Sequence, residues 1–385
     1  MRHQNQVKAI LVAVAAAMLL GAAWAWAAGP ASKAPDRAAA SQPQPAMVAV
    51  FTRGEAGVHT YRIPSLATTP KGTLLAFCEA RKLSAKDKSP TKLVLKRSGD
   101  AGRSWGPMQT LADNGEAALM DPTVVVDRDT SRIWLFYVRY AKGWNQPPAD
   151  IKVCPVGLFA LWSDDDGKSW SKADDLTAKL EQPQWTACCL GPGVGIQLRH
   201  GDKAGRLIVP FHHAKGQCSG WHMIFSDDHG KSWQIGPKPV PHNSESQVAE
   251  LADGSLLLNL RGSDSIRRVS RSRDSGQTWS ALENDETLIE PRGCQASLMQ
   301  YVAKGGDEEE CLLFSNPADA KSRVNLTMRA SYDGGKTWPL SRTIHSGPSA
   351  YSCMTVLDDG QIGILFEAGA KSCYEKIAFA RLDLK

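Results

Sequence analysis

Three arginines of this 385-residue chain stand where apolar strands would begin or end. Arg62 lies in "YRIPSL", Arg261 closes "LLLNLR", and Arg323 comes just before "VNLTM". A guanidinium offers planar donors and keeps its charge at every working pH. Taken singly each is an ordinary surface residue type; placed alike at strand ends, the three form a candidate set. His212 and His213 after "IVPF" have the right chemistry for an acid or base and are read as loop residues. Nine cysteines show no C-x-x-C pair and no Cys/His spacing of the zinc type, so no metal and no cofactor is expected. The odd count and mixed spacing are read as mainly buried thiols, with room for one or two bridges.

The elements that must position these residues are marked by a repeat. "SGDAGRSW", "SDDDGKSW", "SDDHGKSW", "SRDSGQTW" and "SYDGGKTW" begin at Ser98, Ser163, Ser226, Ser272 and Ser331. The steps of 46 to 65 residues are too long for a helical solenoid and suit a four-stranded propeller blade. In each copy the Asp can accept hydrogen bonds from turn amides, the Gly can take positive φ, and the Trp can fold back over the turn. A calcium loop is excluded, because the downstream acidic ligand is missing from "DDDG" and the other copies lack alternating acids. Between the repeats, short β-branched runs such as "PTVVVD", "RIWLFYV" and "GSLLLNLR" are bounded by turn residues. The expected fold is all-β: a six-bladed β-propeller over residues 47–385, closed by "MVAVFT" pairing with "KIAFARL".

The N-terminus is different in kind. Arg2 and Lys8 precede the apolar run Ala9 to Ala28, which ends in small residues, so residues 1–28 read as a signal peptide or an uncleaved signal anchor. Residues 29–46, rich in Ala, Pro and Ser, read as a linker. Export to the periplasm or the cell exterior follows, with membrane attachment by the anchor as the alternative. A formal charge of +5, with 42% hydrophobic and 22% charged residues, describes a globular domain without a nucleic-acid surface.

The ordered set "YRIPSL", "GTLLAFCEAR", the five Asp boxes, "GPGVGIQL", "GRLIVPF", "ESQVAELADGSLLLNLR", "LLFSNP", "RVNLT", "SAYSCM" and "ILFEAG" resembles the exo-α-sialidase (neuraminidase) family. The resemblance implies that Arg62, Arg261 and Arg323 grip the carboxylate of a sialylated glycan. It also implies a tyrosine nucleophile, Tyr351, with Glu245 as its partner base. Sialic acid carries its carboxylate on the anomeric carbon, so an anionic nucleophile would meet a like charge; tyrosine is a known exception to the two-carboxylate rule. A phenol needs a base beside it at neutral pH. Glu250 is a rival base, although a spacing of five puts it on the opposite face of the strand from Glu245.

By the same resemblance Asp87, the sole carboxylate of the loop "RKLSAKDKSP", is the general acid and then the general base toward water. Arg81 lines the site near Asp87, Glu79 belongs to the same frame, and Glu367 orients the first arginine. Asp121 in "MDPTVVVD" is expected either to touch substrate or to cap a turn. Trp144 and "WTACCLGPG" are guessed to receive other substrate groups. The expected activity is hydrolysis of terminal α-linked sialic acids with retention, through a tyrosyl-enzyme intermediate. The alternatives are a trans-sialidase, a hydrolase of a related nonulosonic acid, and a non-catalytic sialic-acid-binding or structural propeller.

Overall fold

A computed structural model describes residues 44–384, apart from 88, 142–155, 178, 181–186, 216–217, 237–239, 241–243, 263 and 303–310. The expected signal segment, most of the linker and Trp144 lie outside the described residues. The described chain is all-β, with two short 3-10 turns at Glu55–Gly57 and Gly201–Lys203. Alternation in runs such as Ile133–Tyr140 lets both faces of each strand pack, because strands are stacked face to face with buried residues on either side.

Sequence-adjacent strands pair antiparallel in meanders, as short turns dictate. Hydrogen bonds group them into sheets of nine, five, four and seven strands among the described residues. The long strand Leu340–Val356 serves two partners: Leu340 to Pro348 pairs back to Val324–Ser331, and Ser349 to Val356 pairs forward to Ile362–Ala368. Met47–Thr52 pairs antiparallel with Lys376–Leu382, the expected joining of the two ends of the fold. That pairing covers an edge that would otherwise be open.

The Asp boxes hold their turns as expected. In the last copy Ser331 Oγ donates to Asp333 Oδ1 at 2.8 Å and receives Gly335 N at 2.9 Å. The Thr337 amide and hydroxyl donate to the two oxygens of Asp333 at 2.9 and 2.6 Å. The tryptophans do more than expected: Trp170 does turn back, donating to the Gly167 carbonyl at 3.3 Å, and four of the rings also pack on a strand of another meander. Trp105 meets Phe379, Trp170 meets Phe77, Trp233 meets Trp134 and Phe136, and Trp279 meets Trp221, with centroids 4.8 to 5.7 Å apart. A large ring gains more buried area between two sheets than over its own turn.

The residue before the box glycine also reaches across. Asp166 accepts from Thr69 and Thr73 hydroxyls at 2.6 and 2.7 Å, and His229 Nδ1 lies 2.9 Å from Asp127 Oδ2. Asp127, Asp129 and His229 therefore cluster, but Asp127 already accepts from Thr130, Gln197 and the Asp129 amide, which makes the cluster a clasp between turns. The repeat is a fastener between sheets as well as within a hairpin.

Two outcomes follow. Gly230 has φ +83° and a Cβ there would lie 2.1 Å from the Trp134 ring, so Gly230→Ala should cost about 2–3 kcal/mol in urea unfolding. Hydrogen bonds from the Ser104 hydroxyl and amide hold Asp100 down at about 2. A folded pKa below the unfolded value of about 3.9 gives stability that is complete above about pH 4 and is lost as pH falls through about 2. The melting temperature should drop across that window, and less steeply in Asp100→Asn.

Candidate active site

The site is assembled where inner strands begin. Arg62 sits at a bulge of Thr60–Thr68, and the next residue, Ile63, takes φ +58°. The bulge turns the arginine off the ladder and toward the buried Glu367 of Ile362–Ala368. Glu367 accepts from Arg62 Nε at 3.0 Å and Nη2 at 3.4 Å, from the Ile63 amide at 2.9 Å and from the Tyr351 amide at 3.3 Å. Burial opposes the charge on Arg62, yet Glu367 and its other neighbours push its pKa well up. The guanidinium is fixed and fully charged.

Arg261 and Glu245 come together because their strands form one hairpin, with Ser246 opposite Leu260 and the Arg261 amide donating to the Glu245 carbonyl at 3.0 Å. Arg261 Nη1 lies 2.7 Å from Glu245 Oε2 and donates to Tyr351 Oη at 3.1 Å. Tyr351 in turn donates to Glu245 Oε1 at 2.6 Å. Burial, then the Glu245 charge, pushes the phenol well above its ordinary value, against the pull of Arg261 and Arg62. The proton of Tyr351 therefore has a carboxylate acceptor in direct contact.

Arg323 completes the expected arginine set by a different means. Its Nη1 donates to Tyr374 Oη at 2.8 Å and its Nη2 to the Gly293 carbonyl at 2.7 Å, both neutral acceptors. The same carbonyl accepts from Arg261 at 3.2 Å. Arg62 and Arg323 both stand near the Tyr351 ring, at 5.2 and 5.5 Å from its centroid.

Across from Tyr351, Asp87 keeps 68% of its side chain exposed while contacting Arg81 Nη1 at 2.8 Å and Arg62 Nη1 at 3.4 Å. Partial burial raises its pKa, but Arg81 and Arg62, with a further pull from Arg323, hold it below the usual carboxylate range. Among the described residues, arginines lower the acid.

Arg81 is buried and paired with Glu79 at 2.7 Å, two residues back on the same strand face. Glu79 also accepts from the Asp121 amide at 3.0 Å. Asp121 does not cap a turn: it is buried in Ala118–Val126 at a bulge, with φ +59°, and its Oδ2 meets no donor among the described residues. Burial and then Glu79, Glu245 and Asp87 push its pKa well up, toward the neutral form.

Among the described residues, Arg62, Arg81, Arg261, Arg323, Glu79, Glu245, Glu367, Asp87, Asp121 and Tyr351 thus lie in one cluster, and Glu250 is excluded from it. Glu250 ends its strand at the opposite face, accepting from the Arg199 and His200 amides at 2.7 and 3.0 Å. His212 and His213 lie on the strand Leu207–Lys215, opposite Cys189 and Cys188, and not on a loop. Cys78, Cys294 and Cys353 are buried thiols.

Tyr374 escaped the sequence reading, and Cys189 was named only within the segment "WTACCLGPG". Tyr374 lies under Arg62, 4.3 Å from the guanidinium carbon to the ring centroid, while holding Arg323 by its hydroxyl. Its signal was only an isolated aromatic in the last turn, a turn pinned by Glu375 accepting the Ala370, Lys371 and Ser372 amides. Cys189, pushed well up by burial and by Asp121, borders the site from the segment "ACCL".

Known proteins resemble this chain in sequence and fold. Residues 72–364 match the BNR repeat-like domain family. Sialidase-3 of Mus musculus is 30% identical over 403 residues, covering 86% of this chain and 92% of that protein. The chain belongs to the sialidase family. The sialidase of Micromonospora viridifaciens is 34% identical over 345 residues, covering 86% of this chain but 53% of its own length, so the chain spans about half of that relative. Among solved structures, Hadza microbial sialidase Hz136 superposes with a TM-score of 0.79 at 33% identity, covering 88% of this chain and 68% of that one.

The arginines of this sialidase-family site should differ in what they cost to disturb. Glu367→Gln leaves the buried Arg62 without its counter-charge and should destabilise by about 3–5 kcal/mol. Arg323→Ala removes a cation held by neutral acceptors only and should cost less than about 1–2 kcal/mol. Urea unfolding of the two variants compares them directly.

Proposed function

We propose that the chain is an exo-α-sialidase, removing terminal α-linked sialic acids from glycoconjugates with retention through a tyrosyl-enzyme intermediate. The observation that carries this reading is the 2.6 Å contact of Tyr351 Oη with Glu245 Oε1 inside a ring of three arginines. The arginines take the substrate carboxylate, with Arg323 supplying the charge least engaged by other groups. Glu245 receives the phenolic proton as Tyr351 oxygen attacks the anomeric carbon. Asp87 gives its proton to the departing glycosidic oxygen.

Asp87 is held ionised by Arg81 and Arg62 in the resting site. A bound carboxylate cancels part of that positive charge and raises the pKa of Asp87, so substrate itself promotes the acid form. In the second half Asp87 takes a proton from water, water attacks the anomeric carbon, and Tyr351 leaves and regains its proton from Glu245. Asp121, pushed toward its neutral form, is suited to donate to a substrate oxygen.

The reading includes a six-bladed propeller. Runs of four antiparallel strands over 60–112, 118–175, 187–235, 246–289, 297–348, and 349–382 with 47–52 support that count. It also includes export, with residues 1–28 as signal or anchor; N-terminal sequencing of the exported protein tests that part.

With a fluorogenic sialoside, Tyr351→Phe and Asp87→Ala should each lower kcat by at least about 100-fold. Full activity in Tyr351→Phe would remove the nucleophile assignment. Proton NMR of the first-released sugar should show the α anomer; initial β anomer would overturn retention.

A further inference from the structure

A pocket of 570 Å³, a size typical of small-ligand sites, is lined in part by Arg323. Arg292 and Lys321 line it together with Arg323, so three cations face one space. Neither Arg292 nor Lys321 uses its side chain in a hydrogen bond or ion pair with any described residue. The one acid in the lining, Asp264, is neutralised by Arg268, and nearby Asp319 turns its carboxylate onto the Lys321 and Ser322 amides. The pocket therefore carries net positive charge, although Asp319 still acts on Lys321 through space.

Its walls are tied to the catalytic residues. Ser265 Oγ donates to the Ala320 carbonyl at 3.2 Å, joining two of the lining loops. Arg292 precedes Gly293, whose carbonyl holds Arg323 and Arg261 and whose amide donates to Gly262. Arg292 and Lys321 are thus mounted on the same loops that set the arginine geometry.

The chemistry of a sialoside makes this placement meaningful, and the inference rests on the function proposed above. The carboxylate and the glycosidic oxygen are bonded to the same carbon, so the leaving sugar starts beside the group gripped by Arg323. Arg323 also bears on the ionisation of Asp87, the group that serves the leaving oxygen. A leaving sugar therefore departs from a carbon beside Arg323, and Arg323 lines the pocket. We propose that the pocket is a subsite for an anionic leaving sugar, whose carboxylate or sulfate is received by Arg292 and Lys321. The protein then favours glycans in which the sugar next to the terminal sialic acid carries its own negative charge.

The test compares kcat/KM on an α2,8-linked disialoside, a sulfated sialyllactose and unmodified α2,3-sialyllactose, in wild type and in Arg292→Ala/Lys321→Ala. Two exposed ion pairs correspond to about a three- to tenfold loss on an anionic substrate. The neutral-aglycone substrate should stay within about twofold, and 0.5 M salt should erase the wild-type preference. Dependence with the disialoside alone identifies a carboxylate subsite, and with both charged substrates a general anion subsite; either supports the proposal. Equal losses on all three substrates, or no loss on the charged ones, overturn it. Calorimetric binding of disialic acid and sialyllactose to Tyr351→Phe, with and without Arg292→Ala/Lys321→Ala, reads the subsite with turnover suppressed. If wild type released no sialic acid from any substrate, the function reading would fall alone; a binding preference of Tyr351→Phe for disialic acid that survives when Arg292→Ala/Lys321→Ala is added would sink the subsite.

Discussion

The buried carboxylate of Glu367 is the interaction on which the site depends. It receives the guanidinium of Arg62, the amide of Ile63 and the amide of Tyr351, and so ties the start of one inner strand to the start of another. An arginine with 6% of its side chain exposed requires an anion at close range. Once Arg62 is held, it bears on Asp87 on one side and on the Tyr351 and Tyr374 rings on the other. The expected arginine set is built with three degrees of compensation: Arg62 by a buried acid, Arg261 by the acid that also faces the tyrosine, and Arg323 by neutral oxygens. That gradient leaves net positive charge directed at the cleft and places the strongest uncompensated attraction at Arg323.

The Asp boxes supply the rigidity this arrangement needs. Their aspartates close the turns, their tryptophans fill the space between successive meanders, and the residue before each glycine contacts the neighbouring turn in the copies holding Asp166 and His229. These contacts lie away from the arginines, at the opposite ends of strands. A scaffold fixed at one end lets bulges at the other carry strained residues such as Ile63 and Asp121 without loosening the sheets.

The strand pattern, the repeat and the pairing of the two ends of the fold were readable because each depends on local periodicity or on an apolar run that needs a partner. Arg62, Arg261, Arg323, Asp87, Glu245 and Tyr351 could be named through the family motifs around them. Tyr374 could not, since a single aromatic in a turn has no pattern, and its importance lies in contacts with residues 51 and 312 positions earlier. The packing of the tryptophans on other meanders was not visible for the same reason. A hairpin is visible in sequence, but the strand that lies behind it is not.

By itself the amino-acid sequence determined an all-β chain, the spacing of its turns and the residue types available for gripping an anion, because hydrogen-bonded turns and alternating burial are set by near neighbours. Only the tertiary structure decided which charges compensate one another: that Asp121 is pushed toward its neutral form among three other acids, that Asp87 is lowered by arginines, and that Arg292 and Lys321 face an open pocket beside Arg323. Electrostatic interaction depends on distance through space and on burial, and neither is a property of position along the chain.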